Sequence, residues 1–180
     1  MKTILPLVLA AALLITASCD NKKAPAPQAD TKTEATAQTA DASSDTIADF
    51  TLNTPDGSPL SVMSEVKKHD ITIIDFWASW CGPCMREMPF MKQLYADFRD
   101  KGLGIVGISL DEDRDAWQKA IDSMGLTWPQ MSDLQGWDAV PARMYNVNAI
   151  PFLMVVDRQG LILTTGLRGD ELRQYISEKL

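Results

Sequence analysis

The chemistry of this sequence is concentrated in two cysteines, Cys81 and Cys84, which stand in the run WCGPC. Directly before them lies an apolar, β-rich run at 71–77, and helical periodicity begins with the motif itself. A thiol in the first turn of a helix faces unpaired backbone N–H groups and the positive end of the helix dipole, and both stabilise the thiolate. We therefore predict that Cys81 is a nucleophile and that Cys84 is a resolving thiol close enough to form a disulfide with it.

The third cysteine, Cys19, stands alone near the N-terminus. Three cysteines are too few for a disulfide-stapled scaffold, and no second cysteine or histidine pair could complete a zinc site around the motif. We therefore expect no metal site, and thiol-disulfide chemistry at the pair needs no organic cofactor either. The alternative is a redox-inert binding module, in which the cysteine pair forms a structural disulfide or half of a metal site.

A cluster of acids could suggest a cation site elsewhere in the chain. We interpret it instead as the cap and first turn of the helix that follows, where acids complement the helix dipole. Its members are Asp111, Glu112, Asp113 and Asp115.

Alternating strands and helices must position the cysteine pair. The runs FTLNT and SPLSV around a Pro-Asp-Gly turn predict a hairpin, and near-continuous apolar runs predict buried strands. The sequence therefore predicts an α/β sandwich around a mostly parallel sheet, with an antiparallel hairpin at its end that turns at Gly160. The predicted helices are a short one at 62–68, one beginning near Cys81, one at 113–124 and one at the C-terminus; the predicted strands are 71–77, 102–110, 152–156 and 161–166.

The chain has 180 residues, 46% of them hydrophobic and 23% charged, with a net charge of −7, which is typical of a soluble globular protein. Because nucleic-acid binding depends on Lys and Arg, the acidic balance argues against a nucleic-acid partner. Residues 20–48 are rich in Ala and Thr, with Ile47 as their only large apolar side chain, and we interpret them as a disordered tether. Residues 49–180 then form one domain.

Residues 1–19 have the pattern of a secretory signal peptide. Lys2 precedes an apolar stretch too short to span a bilayer, and small residues precede Cys19. The end of the segment resembles the lipobox of bacterial lipoproteins, which implies that Cys19 becomes the lipid-bearing first residue of the mature chain. The alternative is an ordinary signal peptide whose cysteine is incidental.

The segment DFWASWCGPCMREMP resembles the active-site block of the thioredoxin superfamily over fifteen residues. Asp75, six residues before the first cysteine, matches the family's buried acid, and Pro89, five residues after the second, matches its helix-kinking proline. Ile150 and Pro151 match the loop in which a cis-proline packs opposite the cysteines. The resemblance implies an α/β thioredoxin fold, with a central mixed sheet flanked by helices and an N-terminal hairpin.

The stretch between the second buried strand and the proline loop is longer than in thioredoxin itself. Together with the pattern YNVNAIPF…VVDRQGLI, it resembles the envelope thiol-disulfide oxidoreductases that include TlpA and ResA. This implies an inserted helix-strand element before the cis-proline.

The resemblance also implies roles for individual residues. Cys81 would attack a substrate disulfide and Cys84 would resolve the mixed disulfide. Asp75, if buried beneath the site, would have a raised pKa and could take the proton from Cys84, although a purely structural acid is the alternative. The predicted substrate contacts are Trp80, Gly82, Pro83, Ile150 and Pro151, whereas Trp77 is assigned to the core.

These features predict a reductase of disulfides in envelope proteins, re-reduced by a membrane thiol-disulfide donor and held by its lipid at the inner or outer membrane, facing the periplasm. A thiol oxidant or isomerase in the same compartment is the alternative within the class. A peroxidase is disfavoured, because Ala78 occupies the place of the Thr in the peroxiredoxin pattern.

Overall fold

A computed structural model of the chain describes residues 45–180. The predicted signal peptide, with Cys19, and residues 20–44 of the predicted tether lie outside the described residues. Strands and helices alternate through most of the described part. In chain order they are β1 (Thr51–Asn53), β2 (Pro59–Ser61), α1 (Val62–Val66), β3 (Ile71–Trp77), α2 (Gly82–Phe98), β4 (Leu103–Ser109), α3 (Arg114–Met124), β5 (Gln130–Met131), α4 (Val140–Met144), β6 (Phe152–Asp157), β7 (Ile162–Thr165) and α5 (Gly169–Lys179), with short 3-10 turns at Arg99–Lys101 and Gly136–Asp138.

A five-stranded sheet in the order β5-β4-β3-β6-β7 forms the centre of the domain. Its middle strands, β3 and β4, are buried at all seven of their positions, as their apolar runs predict. The predicted mixed sheet is confirmed, but "mostly parallel" is wrong: β5, β4 and β3 run parallel, whereas β6 and β7 are both antiparallel to their neighbours. The difference lies in β6, which pairs antiparallel with β3 on the side away from β4.

The predicted N-terminal hairpin is confirmed as a separate two-stranded sheet, in which Thr51 pairs with Ser61. Its turn includes Gly57 with a φ of +88°, a conformation that favours glycine. The helix after the hairpin ends at Val66, two residues earlier than predicted. The second hairpin, β6–β7, turns at Gly160 as predicted, also with a positive φ of 87°.

The inserted element predicted before the proline loop is also present. Asp113 caps α3, and the chain then forms the short strand β5, which extends the sheet by pairing parallel to β4. A 3-10 turn and α4 complete the insertion and lead to the loop before β6.

The predicted domain boundary at residue 49 lies too late in the chain. Ile47 is buried, and its backbone N–H donates to the carbonyl oxygen of Gly160 at 2.8 Å. Thr46 forms a β-bridge with Leu161, and the N–H of Ala48 donates to the Tyr145 hydroxyl at 3.0 Å. Residues 46–48 therefore belong to the domain, because burying the apolar side chain of Ile47 against it is favourable in free energy.

Within residues 45–180, no helix combines the length and the hydropathy that crossing a membrane would require.

Candidate redox site

Cys81 and Cys84 form a disulfide at the start of α2, with an S–S distance of 1.99 Å and a Cα–Cα distance of 5.3 Å. Cys81 is the N-cap of the helix, and its Sγ accepts a hydrogen bond from the N–H of Cys84 at 3.2 Å. Pro83 occupies the first turn, where its missing N–H leaves no hydrogen bond unmade. The predicted position of both sulfurs at a helix N-terminus is confirmed.

The two cysteines differ in their access to solvent. Cys81 is 5% exposed and Cys84 is 1% exposed, while Gly82 and Pro83 between them are exposed at the surface. A disulfide sulfur or thiolate on a substrate can therefore approach Cys81 more readily than Cys84. This difference in solvent access agrees with the predicted roles of Cys81 as the nucleophile and Cys84 as the resolving thiol.

The loop that carries the motif is held by Asp111, which sequence reasoning assigned to the cap of α3. Asp113 is the cap, accepting from the N–H groups of Asp115 and Ala116. The buried Asp111 carboxylate instead accepts from the N–H and the hydroxyl of Ser79, at 3.0 and 2.5 Å. The interpretation of Asp111 as a cap is corrected: it follows β4, whose C-terminal end lies beside that of β3, and so reaches the loop that leaves β3.

Ser109 completes this hydrogen-bond network. Its hydroxyl donates to Asp111 Oδ2 at 2.7 Å and accepts from the N–H of Asp111 at 2.9 Å. The loop between β3 and the cysteine motif is therefore tied to β4 through several hydrogen bonds to one buried carboxylate.

Asp75 lies on β3 beneath the disulfide, and its predicted burial is confirmed. It lines a narrow internal cavity together with Cys84, Glu87 and Pro151. Burial raises the pKa of the Asp75 carboxyl to about 7; repulsion from Glu87 raises it further, and the guanidinium of Arg168 opposes both effects. A carboxyl group that titrates near neutrality therefore shares a cavity with the inner sulfur.

Glu87 is a residue of the site that sequence reasoning missed. It lies one turn after Cys84 on α2, and its side chain is only 16% exposed. Burial raises the pKa of the Glu87 carboxyl, and Arg168 Nη1, 3.5 Å from its Oε2, lowers it. The spacing of three residues from Cys84 was the available signal, because residues i and i+3 share a helix face.

Arg168 was also missed, because it lies far from the motif in sequence. It is the residue before α5, and its guanidinium donates a hydrogen bond to the carbonyl oxygen of Pro151 as well as pairing with Glu87. One arginine thus connects the proline loop, α2 and α5.

The Ile150–Pro151 peptide bond is cis, as predicted. The loop leads into β6, whose first residue, Phe152, pairs with Phe76 near the end of β3. Pro151 consequently lies opposite the disulfide, against the cavity that Cys84 lines. Ile150 is half-buried beside it.

The two tryptophans around the motif have different surroundings. Trp77 is in the core as predicted, and its Nε1 donates to Gln130 Oε1 at 2.9 Å. Trp80, directly before Cys81, is 54% exposed. Its ring is therefore available to a molecule that approaches the disulfide.

Potential metal ligands are dispersed through the described part of the chain. Among residues 45–180, no group of three or more His, Cys, Asp or Glu side chains is placed to hold a metal ion. The chemistry that the site can perform is thiol-disulfide exchange at Cys81, with proton transfer to carboxylates beneath it.

The fold and the site together define the class: a thioredoxin fold in which a C-x-x-C disulfide begins a helix opposite a cis-proline loop. A family model described as thioredoxin-like matches residues 69–162, just over half of the chain. The chain belongs to this thioredoxin-like family.

Individual relatives and solved structures agree with this assignment. The thiol-disulfide oxidoreductase ResA of Geobacillus kaustophilus is 30% identical over 131 residues, which cover 66% of this chain and 74% of that protein. A thiol-disulfide oxidoreductase from Bacteroides fragilis superposes with a TM-score of 0.70 at 31% identity, over 75% of this chain and 99% of that one. A secreted disulfide oxidoreductase of Mycobacterium tuberculosis, homologous to DsbE, gives a TM-score of 0.60 at 26% identity, over 72% and 95%.

Proposed function

We propose that this thiol-disulfide oxidoreductase reduces disulfides of proteins in the bacterial envelope. The observation that carries the proposal is the arrangement of the cysteine pair: Cys81 is the more exposed cysteine at a helix N-terminus, and Cys84 lines a cavity with a carboxyl whose pKa is about 7. The two sulfurs therefore have different surroundings, suited to attack and to resolution.

The cycle begins with both cysteines reduced. The thiolate of Cys81 attacks one sulfur of a substrate disulfide, forming a mixed disulfide and releasing the other substrate sulfur as a thiolate, which takes a proton from water. Cys84 then loses its proton and attacks Cys81 Sγ, so that the second substrate sulfur leaves. Two electrons pass to the substrate, and the enzyme ends with the Cys81–Cys84 disulfide seen in the structure.

Asp75 accepts the proton of Cys84 in the second step. A buried carboxylate with a pKa near 7 is basic enough to take a thiol proton and can release it again near neutral pH. Glu87 lies in the same cavity and is partly exposed, so it can pass the proton on to solvent. In this assignment Cys81, Cys84 and Asp75 are catalytic, and Trp80, Gly82, Pro83, Ile150 and Pro151 contact the substrate.

Reduction is proposed over oxidation because the Gly-Pro pair between the cysteines resembles reducing thioredoxins. A redox titration of the pair distinguishes the two directions. A potential near the thioredoxin end, about −270 mV, supports a reductase, whereas a value near about −120 mV would identify a thiol oxidant.

The N-terminal sequence supports the proposed compartment. Residues 1–19 have the pattern of a secretion signal, and one structural relative is described as secreted. We propose that Cys19 is lipidated and that residues 20–44 tether the domain near a membrane thiol-disulfide donor, which restores the reduced pair. Mass spectrometry of the mature N-terminus tests this: an unmodified Cys19, or its removal with the signal peptide, would exclude the lipid anchor.

An insulin reduction assay with a dithiol donor tests the activity directly. The purified chain is expected to accelerate precipitation of the insulin B chain, and a variant with both Cys81→Ser and Cys84→Ser is the matched control. If the wild-type chain is no faster than this control, the enzyme proposal is wrong and the pair is a structural disulfide in a binding module.

A further inference from the structure

Two exposed tryptophans lie side by side next to the disulfide. Trp80 directly precedes Cys81, and Trp137, in the 3-10 turn Gly136–Asp138, is 46% exposed. The centroids of their rings are 6.0 Å apart. We call these two residues the tryptophan pair.

The exposure of the tryptophan pair is unusual within the domain. The other three tryptophans, Trp77, Trp117 and Trp128, are at most 3% exposed. Among residues 45–180, the remaining exposed large apolar side chains are Val140, three residues after Trp137, and Leu161, in the β6–β7 turn. Burying a large apolar side chain lowers the free energy of the system. Two adjacent exposed indoles beside a reactive centre therefore indicate a surface that binds a partner.

The local structure holds Trp137 in this place. Gly136 has a φ of +58°, and the carboxylate of Glu112 occupies the space that a β-carbon at Gly136 would need. The Asp133 carboxylate accepts from the N–H groups of Gln135 and Val140, at 3.2 and 2.9 Å, on either side of the turn. The position of Trp137 is therefore built into the insertion between β5 and the proline loop.

The charges around Trp137 are mainly negative. Glu112 lies against Gly136, Asp138 is the next residue in the chain, and Asp133 binds the backbone of the turn. Among residues 125–150 the exposed cation is Arg143, on α4. On α2, the Arg86 guanidinium lies beside Gly82. A partner with Lys or Arg would therefore complement the Trp137 side of the site, and a cation can also stack on an exposed indole face.

We propose that the tryptophan pair docks substrate segments that carry a large apolar side chain and a Lys or Arg near the cysteine under attack. The inference rests on the proposed reductase function, because the substrate cysteine bonded to Cys81 must pass beside Trp80. An extended chain advances about 3.3 Å per residue, so the step between the two rings corresponds to about two residues. Side chains of one substrate segment that contact the two rings are therefore expected about two positions apart.

The test compares two peptides that contain the same disulfide. One carries Leu and Lys at these positions, and the other carries Ser and Glu. The rate on 2-hydroxyethyl disulfide, which is too small to reach both rings, reports the reactivity of the cysteine pair alone. The full chain is expected to reduce the Leu/Lys peptide with a kcat/KM about tenfold higher than that for the Ser/Glu peptide, because one aromatic anchor can contribute strongly to binding.

Trp137→Ala is expected to lower this preference several-fold, because the indole proposed to contact the apolar residue is lost while the acids of the turn remain. Leu161→Ala is the matched control, since it removes an exposed apolar side chain at the opposite end of β6 from Pro151 and should leave the preference unchanged. Asp138→Lys, an exposed substitution in the same turn, should weaken the preference for Lys over Glu even if Trp137→Ala fails to fold.

The outcomes separate this inference from the proposed function. If the wild-type chain reduces neither peptide nor the small disulfide, the proposed function fails. If it reduces both peptides equally and neither Trp137→Ala nor Asp138→Lys changes the ratio, the reductase stands and the docking inference is wrong. Sedimentation equilibrium showing a wild-type dimer that Trp137→Ala dissociates would assign the tryptophan pair to self-association and would also overturn the inference.

Discussion

Arg168 donates a hydrogen bond from its guanidinium to the carbonyl oxygen of Pro151, so that the start of α5 is joined to the cis-proline loop. The same guanidinium lies 3.5 Å from Glu87 and lowers the pKa values of both carboxyl groups in the cavity beneath Cys84. One side chain thus links the loop proposed to bind substrate with the groups proposed to move the proton.

Arg168→Met is expected to shift the pH dependence of disulfide reduction to higher pH. The guanidinium stabilises the carboxylate forms, so its removal raises the pKa of Asp75 above about 7, and the base that resolution requires then forms only at higher pH. The kcat/KM for a disulfide peptide, measured from pH 5 to 9, checks this.

Arg158→Met is the matched control for that experiment. Arg158 donates to the carbonyl oxygen of His69 and to Asp70, before the start of β3 and so at the end of that strand away from the disulfide. The substitution removes the same charge from the domain but should leave the profile in place. Equal shifts in the two variants would point to net charge and would contradict a specific effect of Arg168.

Asp75→Asn is expected to make the stability of the oxidised protein less dependent on pH. The folded-state pKa of Asp75 is raised from 3.8 to about 7, so the folded state holds this proton more tightly than the unfolded chain. The free energy of unfolding therefore falls as pH rises between these values, by about 4 kcal/mol in all, and Asn removes this loss.

Urea denaturation at pH 5 and pH 8 measures the effect. The wild-type protein should lose more stability than Asp75→Asn between the two pH values, and Asp75→Asn should be the more stable of the two at pH 8. Equal pH dependence of the two proteins over this range would contradict the raised pKa, because a carboxyl that is already ionised at pH 5 in the folded and the unfolded states adds no slope between pH 5 and pH 8.

Cys84→Ser is expected to trap mixed disulfides with substrates through Cys81. Without the buried thiol the intermediate cannot be resolved, whereas Cys81→Ser removes the more exposed sulfur and should trap far less. Non-reducing gels and mass spectrometry of the covalent complexes recovered from cells would report this and would also identify the substrates. Greater trapping by Cys81→Ser would reverse the proposed roles.

Asp111→Asn is expected to destabilise the domain by about 1–3 kcal/mol, because the amide cannot accept all the hydrogen bonds that Ser79 and Ser109 donate to the buried carboxylate. Asp113→Asn is the control, since Asn caps helices about as well as Asp and the change should be small. Chemical denaturation of both variants tests this. Equal losses of stability in the two variants would mean that the hydrogen bonds to Asp111 add no stability and that both effects come from the loss of one negative charge.

The order of elements was accessible from sequence because each signal is local. Continuous apolar runs identified β3 and β4, and helical spacing identified α2 and α3. The direction of β6 was not accessible in this way, because a strand's apolar pattern is the same whichever way it pairs. The boundary at residue 49 failed for a related reason: Ile47 is a single apolar side chain, and only the packed domain decides whether it has a place to be buried.

The sequence by itself determined the cysteine pair, its place at a helix N-terminus, and Asp75 and Pro151 through the family pattern. All of these depend on short spacings or on a motif. Only the tertiary structure decided the partners of those residues. Arg168 meets Glu87 across 81 residues of chain and Asp111 meets Ser79 across 32, while Trp137 reaches Trp80 from the insertion. Contacts over such separations depend on how strands and helices pack, and no local periodicity encodes them.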